Sequence, residues 1–311
     1  MTERGHSRIA VLGALLMAGL GVAQAAPATA YSEPITGAGI VAHFDIAAGQ
    51  QPENITLEPD GTADVTFAPA RQVARVTPRG QVTILATLPP ATTGTASIGG
   101  IVRAPDGSLY VNYAAGAETG IWQVTPYGHA RRVVALPEVK APNGLALDPR
   151  SGALFVTDSA VGAVWRAWPR TGRAERWATG DQLLPGAFGF GSNGIKVHNG
   201  SVWVSNTDQG TLLRIPVRND GTAGRIVEEA RIPLLDDFAF TGAGDTVLVA
   251  QVGLDQVTLA TPGGDQHVVL SAADGLSSPT SVAVRGSAVY VPSAGYFSGV
   301  DPNLILARLS R

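Results

Sequence analysis

The segment Asn143-Gly-Leu-Ala-Leu-Asp-Pro-Arg-Ser-Gly is one of six related segments in this 311-residue sequence. Each is a short run of apolar residues that leads into a turn, and a second alternating run such as Leu154-Phe-Val follows. The intervals between successive starting residues are 46, 44, 50, 43 and 44 residues. A period near 45 residues, built from short strands and turns, is typical of a β-propeller blade. The repeats predict an all-β fold, a six-bladed β-propeller with a central channel, and start at Glu53, Gly99, Asn143, Asn193, Asp236 and Thr280.

Alternation of apolar and polar residues between the repeats, as in Gln81-Val-Thr-Ile-Leu, is the pattern of half-buried antiparallel strands. Pro and Gly mark the turns at regular intervals and no linker interrupts them, so residues 31–311 are predicted to be a single domain. The run Gly39–Phe44 precedes the first repeat. We expect it to pair with Leu304–Leu309 in the last of six four-stranded blades, because this pairing closes the ring and removes exposed sheet edges.

Residues 1–30 have the pattern of a secretory signal peptide. Arg4 and Arg8 precede an apolar run from Ile9 to Val22, and small residues follow up to Ala25 and again up to Ala30. Cleavage is expected after one of these two alanines, and the mature protein is expected to be secreted. The apolar run is too short for an ordinary membrane span, although an uncleaved anchor is an alternative.

The composition excludes several classes of function. Without Glu3, Arg4 and Arg8, 20 basic and 24 acidic residues remain, a formal charge of −4 that does not suggest a nucleic-acid partner. The sequence has no cysteine, so neither a disulfide nor a thiol contributes. It also has no Gly-x-Ser-x-Gly elbow, no His-Glu-x-x-His motif and no phosphate-binding Gly loop. A serine nucleophile is therefore disfavoured, and metal-assisted hydrolysis of a small molecule by a monomer is the expected activity.

The starting residues of the repeats should point towards one end of the channel, because they occupy equivalent positions in the blades. Five of the six carry a side-chain oxygen and two are carboxylates, which is the arrangement of a metal site. The alternatives are that Asn143 and Asn193, each followed by Gly, are turn formers, that Glu53 is solvated, and that Asp236-Asp237 is an exposed turn pair. Asp237 is also an alternative ligand to Asp236, because the alignment of the fifth repeat differs by one residue between its two strands.

Four of these segments, in order and at blade spacing, resemble the SMP-30/gluconolactonase/luciferin-regenerating-enzyme family. They are Pro52-Glu-Asn-Ile, Pro142-Asn-Gly-Leu, Ser192-Asn-Gly-Ile-Lys and Leu235-Asp-Asp-Phe, and the resemblance extends over about residues 40 to 309. It implies a catalytic calcium ion at the axis of the propeller, bound by Glu53, Asn193 and Asp236, with Asn143 facing both metal and substrate. Two carboxylates and two amide oxygens independently suit Ca²⁺ better than zinc or copper, with another divalent cation as the alternative.

The expected reaction is hydrolysis of a lactone or related ester. In it the ion would polarise the carbonyl, Asp236 or a water held by it would act as general base, and Asn143 would face the reacting group. Sugar-lactone members of the family carry an Arg where this sequence has Ala141, so gluconolactone is a doubtful substrate.

Aromatic residues in two loops favour apolar substrates. These residues could form the walls of a pocket at the mouth of the channel, or pack between blades instead. A non-catalytic propeller that serves as a binding module is the alternative function, although such a module has no need for paired carboxylates at one point. The aromatic residues are Phe188, Phe190, Tyr296 and Phe297.

Overall fold

The computed structural model describes residues 34–92 and 94–310, so the predicted signal peptide lies outside the described residues. The strands form six antiparallel sheets of four strands each, which confirms the six-bladed β-propeller. The part of the chain that the structure describes contains no α-helix, and three 3₁₀ turns cover Gly116–Glu118, Asp181–Leu183 and Ala272–Asp274. None of the described helical segments is long and apolar enough to cross a membrane.

The strands are numbered in chain order, and the first strand to appear, β1 (Ile35–His43), belongs to the last blade. The other blades run outward from the channel in sequence order. Blade 1 contains β2 (Pro52–Leu57), β3 (Ala63–Phe67), β4 (Gln72–Val76) and β5 (Val82–Thr87). Blade 2 contains β6 (Ser97–Arg103), β7 (Leu109–Ala114), β8 (Gly120–Val124) and β9 (Ala130–Ala135). Blade 3 contains β10 (Pro142–Leu147), β11 (Leu154–Asp158), β12 (Ala163–Trp168) and β13 (Arg173–Thr179).

The remaining blades follow the same order, except that the last is completed from the start of the chain. Blade 4 contains β14 (Ser192–His198), β15 (Ser201–Asn206), β16 (Thr211–Pro216) and β17 (Val227–Arg231). Blade 5 contains β18 (Leu235–Phe240), β19 (Val247–Gln251), β20 (Gln256–Ala260) and β21 (Gln266–Leu270). Blade 6 contains β22 (Ala283–Arg285), β23 (Ala288–Ser293), β24 (Asn303–Leu309) and β1.

The two ends of the described chain meet in blade 6. Strand β1 pairs antiparallel with β24, from Ile35 opposite Leu309 to His43 opposite Asn303, and the Phe44 N–H donates to the Pro302 carbonyl at 2.7 Å. The predicted pairing of residues 39–44 with 304–309 is confirmed, and the strand extends back to Ile35. The ring is therefore closed by hydrogen bonds between strands that are distant in sequence.

The apolar core lies between neighbouring blades. Six clusters of buried side chains each draw from two adjacent sheets, such as Trp203 of blade 4 with Phe238 of blade 5 or Phe67 of blade 1 with Leu304 of blade 6. Burial of these side chains is the main favourable contribution to folding, at about 1.5–3 kcal/mol for each large apolar residue. The blades therefore form a rigid frame around the channel.

Candidate functional site

A cavity of about 680 Å³ lies where the innermost strands begin, and all four predicted site residues border it. Glu53 comes from β2, Asn143 from β10, Asn193 from β14 and Asp236 from β18. The equivalent register of the repeats thus brings these residues to one place. The walls around them include the four aromatic residues considered above, namely Phe188, Phe190, Tyr296 and Phe297.

A β-bulge at the start of the innermost strands directs these side chains into the cavity. In β18, Leu235 pairs with Gln251 and Phe238 pairs with Val249, so Asp236 and Asp237 together face a single residue of β19. The same shift occurs in β10 between Pro142 and Leu145. A bulge bends its strand and changes the direction in which side chains point, and bulges are common next to active sites.

Gly144 and Gly194 are required by close packing of the inner strands, not by a turn. A Cβ atom on Gly144 would lie 2.4 Å from the Asn193 carbonyl oxygen, and one on Gly194 would lie 2.3 Å from Asp237 Oδ1. Neither glycine has a positive φ, and both lie within strands. The alternative that Asn143 and Asn193 are turn formers is therefore wrong.

Polar side chains of the second strand in four blades hold the backbone of the next blade in place. Thr66 Oγ1 donates to the Gly99 carbonyl at 2.8 Å, and Ser205 Oγ donates to the Asp236 carbonyl at 2.5 Å. Asn112 and Thr157 make the corresponding bonds to the carbonyls of Asn143 and Asn193. These residues were not predicted, although a polar residue recurs near the end of each second strand. They fix the first repeat residue of four inner strands to the neighbouring blade.

The structure separates the roles of Asp236 and Asp237. Asp237 is 2% exposed and its carboxylate is already satisfied, because Lys196 Nζ lies 2.6 and 2.7 Å from its two oxygens and Ser281 donates to it at 2.8 Å. Asn54 Nδ2 donates a further bond at 2.9 Å. Asp236 is 7% exposed and borders the cavity. The alternative of an exposed turn pair is therefore wrong, and of the two aspartates it is Asp236 that lines the cavity.

Glu53 is held by a residue from the opposite end of the chain. The Tyr296 hydroxyl donates to Glu53 Oε2 at 2.6 Å, so Glu53 is not the solvated side chain of the alternative interpretation. Burial and the neighbouring Glu53 and Asp236 carboxylates raise the pKa of Tyr296 well above its usual value. Tyr296 therefore remains a hydrogen-bond donor, and it fixes the orientation of the Glu53 carboxylate.

The Glu53 and Asp236 carboxyls lie close together, and Lys196, which pairs with Asp237, only partly offsets the charge on Asp236. Burial raises the pKa of both carboxyls. The charge of Asp237 adds to the increase for Glu53. The charges of Glu53 and then of Asp237 add to the increase for Asp236. Among the described residues, no ion pair involves either group. Glu53 is partly buried and Asp236 is buried, so two neighbouring carboxyls without an ion-pair partner raise the free energy of the folded state when both are ionised. A divalent cation between them would remove this cost.

The oxygen atoms at this site suit a hard cation only if the Asn143 and Asn193 side-chain amides contribute together with the two carboxylates. No three His, Asp or Glu side chains in the described ranges form a cluster that could hold a metal ion. Asn193 is 5% exposed, its Nδ2 donates to Thr207 Oγ1 at 2.9 Å, and its side chain lies near enough to Asp236 to lower the pKa of that carboxyl. Thr207 thereby sets the orientation of the Asn193 amide. Two carboxylates and two amide oxygens form an all-oxygen set of the kind that binds Ca²⁺.

A second group of buried carboxyls, in blade 1, differs because arginines accompany it. Arg75 Nε donates to Asp64 Oδ1 at 3.0 Å, and Arg103 Nε donates to Glu58 Oε2 at 2.5 Å. Burial raises the pKa of Asp64 to about 7, Arg75 acts in the opposite direction, and Glu58 adds to the increase. Glu58 and Asp64 do not line the cavity, and each pairs with an arginine, unlike Glu53 and Asp236.

We expect the free energy of unfolding of the Asp64→Asn variant to fall less than that of wild type as the pH rises from acidic to neutral. Between about pH 4 and pH 7 the folded protein keeps a proton on Asp64 that the unfolded chain has released, so the free energy of unfolding falls as the pH rises through this window. Asn cannot ionise, so the fall between pH 5 and pH 8 should be smaller in the variant by about 2–3 kcal/mol. Urea unfolding at the two pH values measures this difference, and equal falls in both proteins would contradict the prediction.

The aromatic walls come from two long connections. Phe188 and Phe190 lie between β13 and β14, and Tyr296 and Phe297 lie between β23 and β24. Phe188 and Phe297 are each 75% exposed, so these side chains do not pack between blades as the alternative interpretation held. The cavity therefore combines a polar base with an apolar rim.

A family model described as a repeat of unknown function (DUF6923) matches residues 60–231, more than half of the chain. No curated protein sequence matches this chain. Membership of the SMP-30/gluconolactonase/luciferin-regenerating-enzyme family, which the residue motifs indicate, stays a prediction.

Several solved structures have the same fold. A gluconolactonase from Xanthomonas campestris is similar over 90% of this chain and 99% of that chain, with 16% identity and a TM-score of 0.65. A catalytically inactive virginiamycin B lyase from Staphylococcus aureus, solved with quinupristin, is similar over 84% and 82% of the two chains, with 19% identity and a TM-score of 0.60. An auxiliary nutrient binding protein from Bacteroides ovatus is similar over 84% and 70%, with 13% identity and a TM-score of 0.64. At these identities the similarity establishes the fold alone.

Proposed function

This chain belongs to the family of the repeat of unknown function (DUF6923), and we propose that it is a calcium-dependent hydrolase of apolar lactones or related esters. The observation that carries the proposal is the carboxyl pair of partly buried Glu53 and buried Asp236, which share one cavity with two amides and form no ion pair among the described residues. The gluconolactonase from Xanthomonas campestris shares the fold, which is consistent with this proposal.

Glu53, Asn143, Asn193 and Asp236 would hold the ion. When bound there, Ca²⁺ would act as a Lewis acid on the substrate carbonyl. Tyr296 keeps Glu53 in place through its hydroxyl, and Thr207 orients the Asn193 amide. The set is fixed by the frame of inner strands, so little reorganisation is needed on binding.

The remaining chemistry is assigned to the side chains at the base of the cavity. The Asp236 carboxylate accepts a proton, as a general base, from the water whose oxygen bonds to the carbonyl carbon. As the acyl C–O bond of the lactone or ester breaks, Asp236 returns this proton to the leaving alkoxide oxygen. The Asn143 side chain borders the cavity and can donate a hydrogen bond to the substrate oxygen that gains negative charge. Lys196 is bonded to Asp237, which leaves Asp236 free to act on the substrate.

The rim of the cavity favours apolar substrates. Phe188, Phe190 and Phe297 present exposed rings around an opening that leads to the carboxyls. Ala141, at the position where the resembling sugar lactonases carry Arg, supplies no guanidinium for sugar hydroxyls, and its N–H is bonded to Asp158. We therefore propose that the substrates are lactones or esters with an alkyl or aryl substituent. We also propose that the protein is secreted, and this part rests on the sequence pattern of residues 4–30 alone.

A binding module without catalysis is the second candidate. The observation that favours it is the similarity in fold to an auxiliary nutrient binding protein, together with an aromatic rim that would also serve binding alone. The paired carboxyls argue against it, because a neutral apolar ligand gains nothing from Glu53 and Asp236.

The test is hydrolysis of a panel of lactones and aryl esters by the purified protein. We expect turnover of an apolar lactone such as γ-nonalactone to exceed that of gluconolactone, and a calcium chelator to abolish it, with activity restored by added Ca²⁺. A preference for gluconolactone would show that the assignment of the apolar rim is wrong. Binding of apolar lactones without turnover, with calcium present, would favour the binding module.

A further inference from the structure

One carboxylate oxygen of Asp208 accepts three hydrogen bonds from the backbone of the loop that carries Phe188 and Phe190. Asp208 Oδ2 accepts hydrogen bonds from the N–H groups of Gly186 at 2.8 Å, Gly189 at 2.9 Å and Phe190 at 3.1 Å. The Asp208 N–H also donates to the Phe190 carbonyl at 3.0 Å. Asp208 itself borders the cavity. Three donors on a single charged acceptor form a strong and geometrically defined anchor.

Packing alone cannot hold this loop. The side chains of Phe188 and Phe190 are 75% and 53% exposed, so they bury little apolar area against the frame. A Cβ atom on Gly186 would lie 3.1 Å from Asp208 Cβ, and Gly189 has a φ of +83°. Both glycines thus allow the backbone to wrap closely around the carboxylate.

The anchor is connected to the base of the cavity. Thr207, the preceding residue, accepts a hydrogen bond from Asn193 Nδ2 and donates to the Leu235 carbonyl at 2.8 Å. Two adjacent residues therefore fix the amide at the base and the aromatic loop at the rim. The distance between the reacting end and the apolar wall is set by a rigid element.

We propose that Asp208 is a positioning residue that determines specificity: it holds the Phe188 and Phe190 loop so that the cavity takes an alkyl or aryl group attached to the scissile carbonyl. The inference deepens the proposed function and rests on it. Without the carboxylate, three loop N–H groups lose their acceptor and the loop becomes mobile. The apolar wall is then lost, while the base of the cavity remains.

The first experiment compares Asp208→Ala with wild type on γ-nonalactone and γ-butyrolactone, which share the reacting ring and differ in the alkyl chain. We expect the ratio of kcat/KM for the long substrate over the short one to fall about tenfold, mainly through a higher KM for γ-nonalactone. Asp208→Asn, which keeps one oxygen acceptor, should recover part of the ratio. The matched control is Asp220→Ala, an exposed turn aspartate whose carboxylate accepts hydrogen bonds from Thr222, and it should leave the ratio unchanged.

Two further measurements do not depend on catalysis. Hydrogen exchange of the amides in residues 186–190 should be faster in Asp208→Ala than in wild type, and the affinity for the neutral probe N-phenyl-1-naphthylamine should fall about fivefold. If no lactone is hydrolysed but both changes occur, the proposed hydrolase is wrong while the role of Asp208 in an apolar site stands. Unchanged exchange, an unchanged substrate ratio, or a wild type that does not bind the probe would each overturn the inference.

Discussion

Replacing Asp236 with Asn should lower kcat/KM for an apolar lactone by at least about 100-fold. The substitution removes the candidate general base and one of two anionic ligands, and Lewis-acid stabilisation alone amounts to several kcal/mol, each 1.36 kcal/mol being a factor of ten. The fold should survive, because Asn fills the same space and a buried carboxyl of raised pKa is removed. In the absence of calcium, the variant should therefore be at least as stable as wild type at pH 8.

The same variant should lose its response to calcium. At 100 times the dissociation constant, a ligand of the native state adds about 2.7 kcal/mol, which corresponds to a rise in Tm of about 5 °C for a chain of this size. Thermal melting with calcium and with chelator measures the effect, and Asp220→Asn, an exposed substitution of the same type, is the control. A calcium-dependent rise in Tm that persists undiminished in Asp236→Asn would contradict the assignment of this ligand.

Removing the first strand should destabilise the protein strongly. A chain that begins at Asp45 lacks β1 and loses the buried side chains of Ile35, Ala42 and Phe44 together with the pairing to β24. The loss of apolar burial alone is about 5 kcal/mol, which lowers Tm by about 10 °C or more. The exposed edge of β24 should also promote aggregation.

The control for this truncation is a chain that begins at Tyr31 and keeps β1. Thermal melting and size-exclusion chromatography of the two proteins at equal concentration give the comparison. Similar Tm values for both chains would show that β1 contributes little to closing the ring, contrary to its place in blade 6.

The fold was predictable because the repeat can be recognised directly in the sequence. Six runs at similar intervals specify six blades, and the unmatched strand before the first repeat indicates how the ring closes. The positions of Glu53, Asn143, Asn193 and Asp236 followed from the same register, since equivalent residues of a repeat occupy equivalent places around the axis. Local pattern and global architecture agree in this chain.

The details of the site were harder to predict from the sequence because they depend on contacts between blades. The choice between Asp236 and Asp237 depends on a bulge in β18 and on Lys196 from blade 4, and neither is visible in the alternation of β18 alone. Tyr296 meets Glu53 across 243 residues of sequence. Asp208 looks like an ordinary turn residue until the loop that surrounds it is known. Long-range pairs of this kind leave no periodic signal.

The closure of blade 6 also orders the events of folding. Five blades consist of consecutive strands joined by short connections, so their contacts form between residues that are near in sequence. The pairing of Ile35 with Leu309, and the bond between Tyr296 and Glu53, must wait until the ends of the ring meet, and contacts between distant residues form slowly. The cavity spans this seam. A chain with formed blades and an open seam would lack the bond between Tyr296 and Glu53, so we expect ligand binding to report on closure of the ring.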